Sequence, residues 1–551
     1  MSTQHIEGTQ LKNMIISGAN NLENNKALVN ALNVFPVPDG DTGTNMSLTI
    51  QSAVKEIKNA RDNELYTIAE AAANGSLMGA RGNSGVILSQ IFRGFAKAMK
   101  TDSEVNIKVL ANALMEGSNT AYKAIMKPTE GTILTVIRET GEHAVKIADR
   151  CSDALALMEE VVIKANKVLE KTPEMLPVLK NAGVVDAGGK GLIYILEGMY
   201  QALKTGALVE LNPESEMEMQ AQLVDKPVFI DGEIRFGYCT EFFIKAKQID
   251  REKYKNAIAD LGDSQVVVGD ENLVKVHIHT NNPGKVLELA LQHGELSKIK
   301  IDNMREQHRA LLVKEEDFKA AQEEESKAED APMEKYGAVT VAMGEGISDI
   351  FRDLGANEII EGGQTMNPST EDILKSVNKV NAENVFIFPN NSNIILAANQ
   401  AKSLSKKNVA VAPTKTIPQG IAAIMALDYD RSIEENIKKI EKAITGVKSG
   451  LITYAVRNST FDGINIEEGN ILGMVEGKIK NVGENTLEVS TNILAEMVDE
   501  DSSLISIYYG NDITEEEAQK LVDHIGETYP DCEIELHYGG QPLYYYILSV
   551  E

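Results

Sequence analysis

Through its first 200 residues the chain repeats apolar side chains at intervals of three and four and nowhere sustains strict alternation. Leu11, Met14, Ile15, Ala19 and Leu22 fall on one helical face. Ile68–Ala73, Val86–Met99, Val109–Ile125, Leu134–Ile147, Ala154–Leu169 and Ile193–Leu203 are rich in Ala, Leu, Ile and Glu. A segment without period-2 faces makes a poor strand, so the spacing predicts an all-helical domain over residues 1–205. Loops rich in Gly, Asn, Asp and Thr interrupt the helices at Pro38–Asn45, Gly79–Gly85, Pro128–Thr132 and Asp186–Gly191. Each leads into a helix, where free backbone N–H groups and the dipole face any nearby anion.

At 551 residues the chain exceeds what one core can organise. Composition shifts after Leu203: Asn212–Gln222 (NPESEMEMQAQ) has no periodicity and reads as a linker. Over residues 226–312 the order becomes strand (Arg235–Ala246), helix (Arg251–Leu261), strand (Ser264–Gly269), strand (Val274–Thr280), helix (Pro283–His293) and strand (Leu296–Ile301). That βαββαβ order predicts a small split-βαβ middle domain. Lys314–Asp330 carries eight acids against three lysines, and this second linker ends near Pro332. Over residues 336–551, the short apolar runs Ala338–Met343, Glu358–Glu361, Val385–Pro389 and Val409–Pro413 alternate with helical stretches. This predicts a parallel sheet covered on both sides. Ser503–Tyr509, Thr514–Thr528, Glu533–Tyr538 and Leu543–Val550 predict a second α/β lobe, so the class is multidomain α plus α/β.

With 54 basic against 82 acidic residues the net charge is −28, which disfavours nucleic acid and anionic membranes as partners. An anionic substrate held through a metal ion is still compatible. No apolar stretch approaches the roughly 20 residues needed to span a bilayer. The start, Met1-Ser2-Thr3-Gln4-His5, lacks the order of a secretory signal. Cys151, Cys239 and Cys532 are too few for a disulfide framework, so a reducing, cytoplasmic setting is expected.

The strongest local signal runs from Asn33 to Met46, NVFPVPDGDTGTNM. Asp39 and Asp41, one residue apart on a Gly-containing turn, can aim oxygens at a common centre, the ligand type that Mg²⁺ takes beside phosphate oxygens. The loop opens a helix near Asn45, which puts Thr42, Thr44 and Asn45 beside the metal as candidate phosphate contacts. An isolated Asp-Gly-Asp is usually a surface turn. Here Gly79–Gly85, Thr129–Thr132 and Asp186–Gly189 recur at junctions of the same domain. Gly lets a backbone approach phosphate, and Ser84 or Thr132 can donate a hydroxyl, so together the loops read as a nucleotide-phosphate cradle. It is not a P-loop, because Gly188-Gly189-Lys190 continues with Gly191. Gly344-Glu345-Gly346 lacks the third Gly of a dinucleotide fingerprint.

These junctions, in this order and in an all-helical domain, resemble the nucleotide-binding subunit of the dihydroxyacetone kinases. The resemblance implies a helical barrel holding Mg-ATP at one end, with Asp39 and Asp41 on Mg²⁺ that bridges the phosphates. It implies Asn33 near the place of a third metal-binding Asp, Ser84, Gly85 and Thr132 on phosphates, and Asp186 and Gly188 near the nucleoside. With Val276-His277-Ile278-His279-Thr280, the run Lys300–His308 (KIDNMREQH) and the α/β C-terminal region added, nearly the whole chain resembles the catalytic subunit of bacterial fatty acid kinase. That implies a homodimeric, ATP-dependent kinase acting on the carboxylate of a fatty acid presented by a lipid-binding partner. Its product would be an acyl phosphate for phospholipid synthesis. One alternative is a dihydroxyacetone or glycerone-type kinase. Those enzymes hold their ketone on a histidine of a separate substrate domain, and no His lies here between Tyr336 and His524. Another is a non-catalytic nucleotide-binding scaffold.

A carboxylate acceptor is already ionised at pH 7, so the expected mechanism needs no general base. Metal neutralisation, in-line positioning and backbone N–H groups carry it, with Arg81 as candidate cation near the γ-phosphate. In the middle domain His277 and His279 share one strand face, and Cys239 lies in a segment expected to pair in the same sheet. Cys with two His suits Zn²⁺, with a fourth position open. No internal fatty-acid tunnel is legible, so residues 336–551 are expected to dock the lipid-carrying partner. His143 reads as an ordinary helical residue and Tyr544-Tyr545-Tyr546 as packing.

Overall fold

The computed structural model describes residues 5–33, 40–100, 106–125, 127–212, 236–245, 249, 251–269, 273–303, 333–363, 366–455, 459–461 and 464–551. The chain forms two compact units, Met1–Glu210 with Met333–Glu551, and Leu211–Pro332.

The helical part of the first unit contains α1 (Gly8–Asn24), α2 (Lys26–Leu32), α3 (Thr42–Lys58), α4 (Leu65–Met78), α5 (Gly82–Ala98), α6 (Ile107–Ala124), α7 (Ile133–Ile147), α8 (Ala154–Leu169), α9 (Thr172–Met175), α10 (Pro177–Ala182) and α11 (Ala187–Thr205). Neighbours from α3 to α8 pack on one another, α8 packs on α11, and α11 closes onto α1, so the helices run in a circuit. Leu11, Met14, Ile15, Leu22, Met46, Ile50, Val136 and Ile193 fill the shared core. Closing the circuit depends on small residues. A Cβ at Gly198 would lie 2.5 Å from the Ser17 carbonyl oxygen, and one at Gly18 would lie 2.8 Å from that of Ile195. Glu23, buried on α1, braces α3: its carboxylate accepts from the Ser47 hydroxyl, from Gln51 Nε2 at 2.9 Å and from Lys26 Nζ at 2.6 Å. His143 lies 3.8 Å from the Glu160 carboxylate, an ordinary helix-surface pair.

The second unit contains β1 (Tyr238–Lys245), α12 (Arg251–Ile258), β2 (Gly262–Gly269), β3 (Leu273–Thr280), α13 (Pro283–Leu291) and β4 (Glu295–Asn303). Its sheet has the order β2-β3-β1-β4, antiparallel throughout, which is the split-βαβ arrangement. Phe242, Ile244, Val274, Val276 and Ile278 pack with Tyr254, Ile258, Val286 and Ala290 of the helices.

The C-terminal part begins with β5 (Glu334–Ala342), α14 (Glu345–Asp353), β6 (Glu358–Glu361), α15 (Thr370–Lys379), β7 (Ala382–Phe388), α16 (Ile395–Leu404), β8 (Asn408–Val411) and α17 (Ile417–Met425). Its sheet is parallel, in the order β6-β5-β7-β8. After α18 (Ile433–Thr445) come β9 (Lys448–Tyr454), β10 (Ser459–Phe461), β11 (Ile464–Ile466), β12 (Ile471–Val475), β13 (Lys478–Gly483), α19 (Thr486–Met497), β14 (Leu504–Tyr509), α20 (Glu515–Thr528), β15 (Glu533–Tyr538) and β16 (Tyr546–Val550). These build a mixed six-stranded sheet, β13-β12-β9-β16-β14-β15, and the β10–β11 hairpin. Tyr508 and Ile547 of this lobe share a core with Phe351, Phe386 and Phe388 of the parallel one. Tyr546 is buried and Tyr545 lies 5.9 Å from the Tyr454 ring, so this Tyr run packs the sheet. Among the described residues no helix is long and apolar enough to cross a membrane.

The contact between α1 and α11 leaves no room for a methyl group. Gly198→Ala is expected to destabilise the helical part by about 1–3 kcal/mol, read as a lowered thermal midpoint. An unchanged midpoint would mean that this closure tolerates slack.

Candidate nucleotide site

The four polar loops all become helix N-termini. Asp41 caps α3, Arg81 precedes α5, Thr132 caps α7 and Asp186 caps α11. Packing gathers these ends. A Cβ at Gly82 would meet Asn45 Nδ2 at 2.5 Å, one at Gly191 would meet Met46 Sδ at 2.7 Å, and one at Gly188 would meet Ile133 Cβ at 3.2 Å. The start of α3 therefore touches the starts of α5 and α11, and α11 touches α7.

Gly40 has φ +64°, a left-handed conformation that turns the chain straight into α3. Asp41 follows, only 6% exposed, and one carboxylate oxygen accepts from Asn367 Nδ2 at 2.5 Å. Thr42 and Asn45 are buried beside it, and Asn33, at 2% exposure, ends α2 nearby in sequence. Asp39 and the five residues before it lie outside the described residues. A buried carboxylate oxygen next to two helix N-termini is a hard-donor setting that fits Mg²⁺ with phosphate.

Several predicted phosphate contacts have local partners. The Thr44 amide donates to Asn30 Oδ1 at 3.1 Å and its hydroxyl accepts from Asn30 Nδ2 at 3.0 Å. The Thr132 hydroxyl donates to the Thr129 carbonyl at 2.8 Å and accepts from the Leu134 amide at 3.4 Å. Gly85 serves close packing, since a Cβ there would lie 2.4 Å from Thr49 Oγ1. Ser84 is half-buried in the first turn of α5.

Asp186 joins two helices. Its carboxylate accepts from the Gly189 amide at 2.7 Å and from the backbone of Ile133, so it caps α11 and ties it to α7. Burial pushes its carboxyl up to about 6, and these backbone donors only partly offset the desolvation. Glu130, on the Thr129–Thr132 loop, shows the reverse balance. Burial pushes it up, but bonds from the Thr135 hydroxyl, Arg138 and Tyr122 outweigh this and hold it below the usual carboxylate range.

In the second unit, Cys239 pairs across the ladder with His279, and His277 with Glu241. Cys239 also pairs with Asp302 on β4, and His279 with Asp263 on β2. The predicted zinc residues thus occupy adjacent register positions. The side chains of Cys239 and His277 lie outside the described residues, and among the described residues no group of three His, Cys, Asp or Glu could hold a metal. The zinc expectation therefore gains no support from the described side chains.

Residues 36–201 match the DAK2 domain, 235–311 the middle domain of the FakA-like fatty acid kinase proteins, and 337–551 the C-terminal domain of the same proteins. Protein YloV of Bacillus subtilis (strain 168) is 45% identical over 565 residues, covering 100% of both chains. The chain belongs to the FakA-like fatty acid kinase family. An uncharacterized protein of Staphylococcus aureus (strain USA300) is 44% identical over 561 residues, covering 99% of each. Among solved structures, the dihydroxyacetone kinase from C. freundii in complex with AMP-PNP and Mg2+ aligns at 15% identity with a TM-score of 0.29, over 36% of this chain and 35% of that one.

Sequence reasoning missed Asn367, which reaches Asp41 from 326 residues away, and Asp372, which lies 3.3 Å from Arg81. The run Ser369-Thr370-Glu371-Asp372 does announce a helix start, and Ser369 and Asp372 form the capping box of α15. It carries no signal for where that helix end docks.

Asp186→Asn keeps an acceptor at the α11 cap and removes the charge. With its carboxyl raised from 3.8 to about 6, the contribution of Asp186 to stability is full below about pH 4 and is lost as pH rises through about 6. The wild type is therefore expected to lose stability relative to Asp186→Asn between pH 4 and 7, by about 3 kcal/mol at the upper end. Parallel curves of thermal midpoint against pH would mean an ordinary carboxyl at this position.

Proposed function

We propose that this protein transfers the γ-phosphoryl group of ATP to the carboxylate of a fatty acid presented by a lipid-binding partner, giving an acyl phosphate. The observation that carries the reading is the buried Asp41 carboxylate at the meeting of the α3, α5 and α11 N-termini. Membership of the FakA-like fatty acid kinase family supports the substrate class.

In this reading Asp41, with Asp39, holds Mg²⁺, which when bound neutralises the triphosphate. The first turns of α3 and α5 donate backbone N–H groups to phosphate oxygens. Arg81 supplies positive charge near the transferred group, and Asp186 fixes the positions of the α7 and α11 ends. An oxygen of the acyl carboxylate bonds to the γ-phosphorus as the bond to the ADP oxygen breaks, and no proton has to move. Position and charge therefore do the catalysis.

For the second unit, we propose that Cys239, His277 and His279 form a second centre, with zinc as candidate ion. The direct pairing of Cys239 with His279 supports this. Elemental analysis of the wild type and Cys239→Ala tests it, and equal zinc in both proteins excludes the ion.

Asp41→Ala is expected to cut turnover at least about a hundredfold with the circular dichroism spectrum unchanged. The assay is ATP consumption with fatty acid and lipid-carrier protein, run in parallel with dihydroxyacetone. Near-normal turnover of Asp41→Ala at saturating Mg²⁺ refutes the site, and consumption driven only by dihydroxyacetone refutes the substrate.

A further inference from the structure

The parallel-sheet lobe sits on the mouth of the candidate site. The Thr370 amide donates to the Ala80 carbonyl at 3.1 Å, Gln400 Nε2 to that of Leu77 at 2.9 Å, and Asn83 Nδ2 to Asn393 Oδ1 at 2.8 Å. Ala80 and Val86 are buried within the apolar core of the lobe, against residues such as Ile373 and Ala397. At the centre, Asn367 donates from Nδ2 to Asp41, and Arg81 donates to the Asn367 carbonyl at 2.7 Å and pairs with Asp372 at 3.3 Å.

The chemistry of this seam opposes nucleotide binding. A surface that completed a phosphoryl-transfer site would bring cations to it. Asn367, Thr370, Asp372, Asn393 and Gln400 bring only neutral groups and one carboxylate. The amide hydrogens of Asn367 present their positive end to the carboxylate that a metal would ligate. On Arg81, Asp372 takes the place a phosphate oxygen would take. The lobe thus offers a substitute for each half of the ligand, an N–H for the cation and a carboxylate for the anion. The fit has a cost: Asn367, only 2% exposed, has no hydrogen-bond partner for its Oδ1 among the described residues.

We propose that the parallel-sheet lobe is an autoinhibitory lid, in which Asn367 and Asp372 hold the nucleotide site shut and Mg-nucleotide competes with them for Asp41 and Arg81. The proposal rests on the reading of Asp41 as a metal ligand. In a competition of this kind, apparent affinity is the intrinsic affinity reduced by the fraction of open molecules, so weakening the lid tightens binding.

The test titrates the full chain with a fluorescent ATP analogue and Mg²⁺. Asn367→Ala and Asp372→Ala are each expected to bind about tenfold more tightly than wild type. Asn83→Cys with Asn393→Cys, oxidised to a disulfide, is expected to lose binding and regain it on reduction, with oxidised wild type as control for the native cysteines. Weaker or unchanged binding in Asn367→Ala overturns the lid, as does undiminished binding by the cross-linked protein. Undiminished binding by Asp41→Ala overturns the metal assignment instead, so the two readings fail separately. The cross-link decides the matter should a single variant not fold.

Discussion

Four helix N-termini gathered at one place repel one another, because each carries a partial positive charge and unsatisfied N–H groups. The shared apolar core holds them together, and buried carboxyl groups among them accept some of the free N–H groups. Asp186 does this directly, bonding the ends of α7 and α11 at once. Asp41 does it at α3, where an amide from another lobe meets it. A chain with net charge −28 thus still presents helix-end N–H donors at these loops.

The contacts of Asn367 and Asp372 with Asp41 and Arg81 are why the C-terminal part matters to a site built from helices. Left open, the mouth offers one arginine and two helix ends to any anion. The seam with the parallel-sheet lobe meets it through side-chain bonds, some of them between neutral groups, which depend little on salt. Ala80 and Val86 add an apolar contribution to that seam.

What could be read in the sequence was what local spacing specifies. Periodicity of three and four marked α1, α4 to α8 and α11 but not the short α2, α9 and α10, and βαββαβ order was enough for the split-βαβ sheet, because adjacent segments choose one another there. Asp41 was legible because two acids on a Gly turn form a local pattern. The six-stranded sheet was not, since β9 lies between β12 and β16, strands whose pairing no short-range signal specifies. Thr44 and Thr132 show a subtler limit. A hydroxyl at a helix start looks the same whether it meets a ligand or its own backbone and neighbours, and here Asn30, Thr129 and Leu134 engage them. Asn367 had no signal at all, because its partner is set by the docking of whole lobes.

The closure of α11 onto α1 has a bearing on how the protein is made. The Asn20 side chain bonds to the Val209 carbonyl, 189 residues later, and Ser17 receives the Val209 amide. At ordinary translation speeds the first helix therefore waits on the order of 10–40 s for its partner to leave the ribosome. During that wait Leu11, Met14, Ile15 and Leu22 have no completed wall to bury against. Until α11 follows, the nascent chain carries this apolar face uncovered, and this makes early chaperone contact a natural companion of a helical fold closed in a circuit.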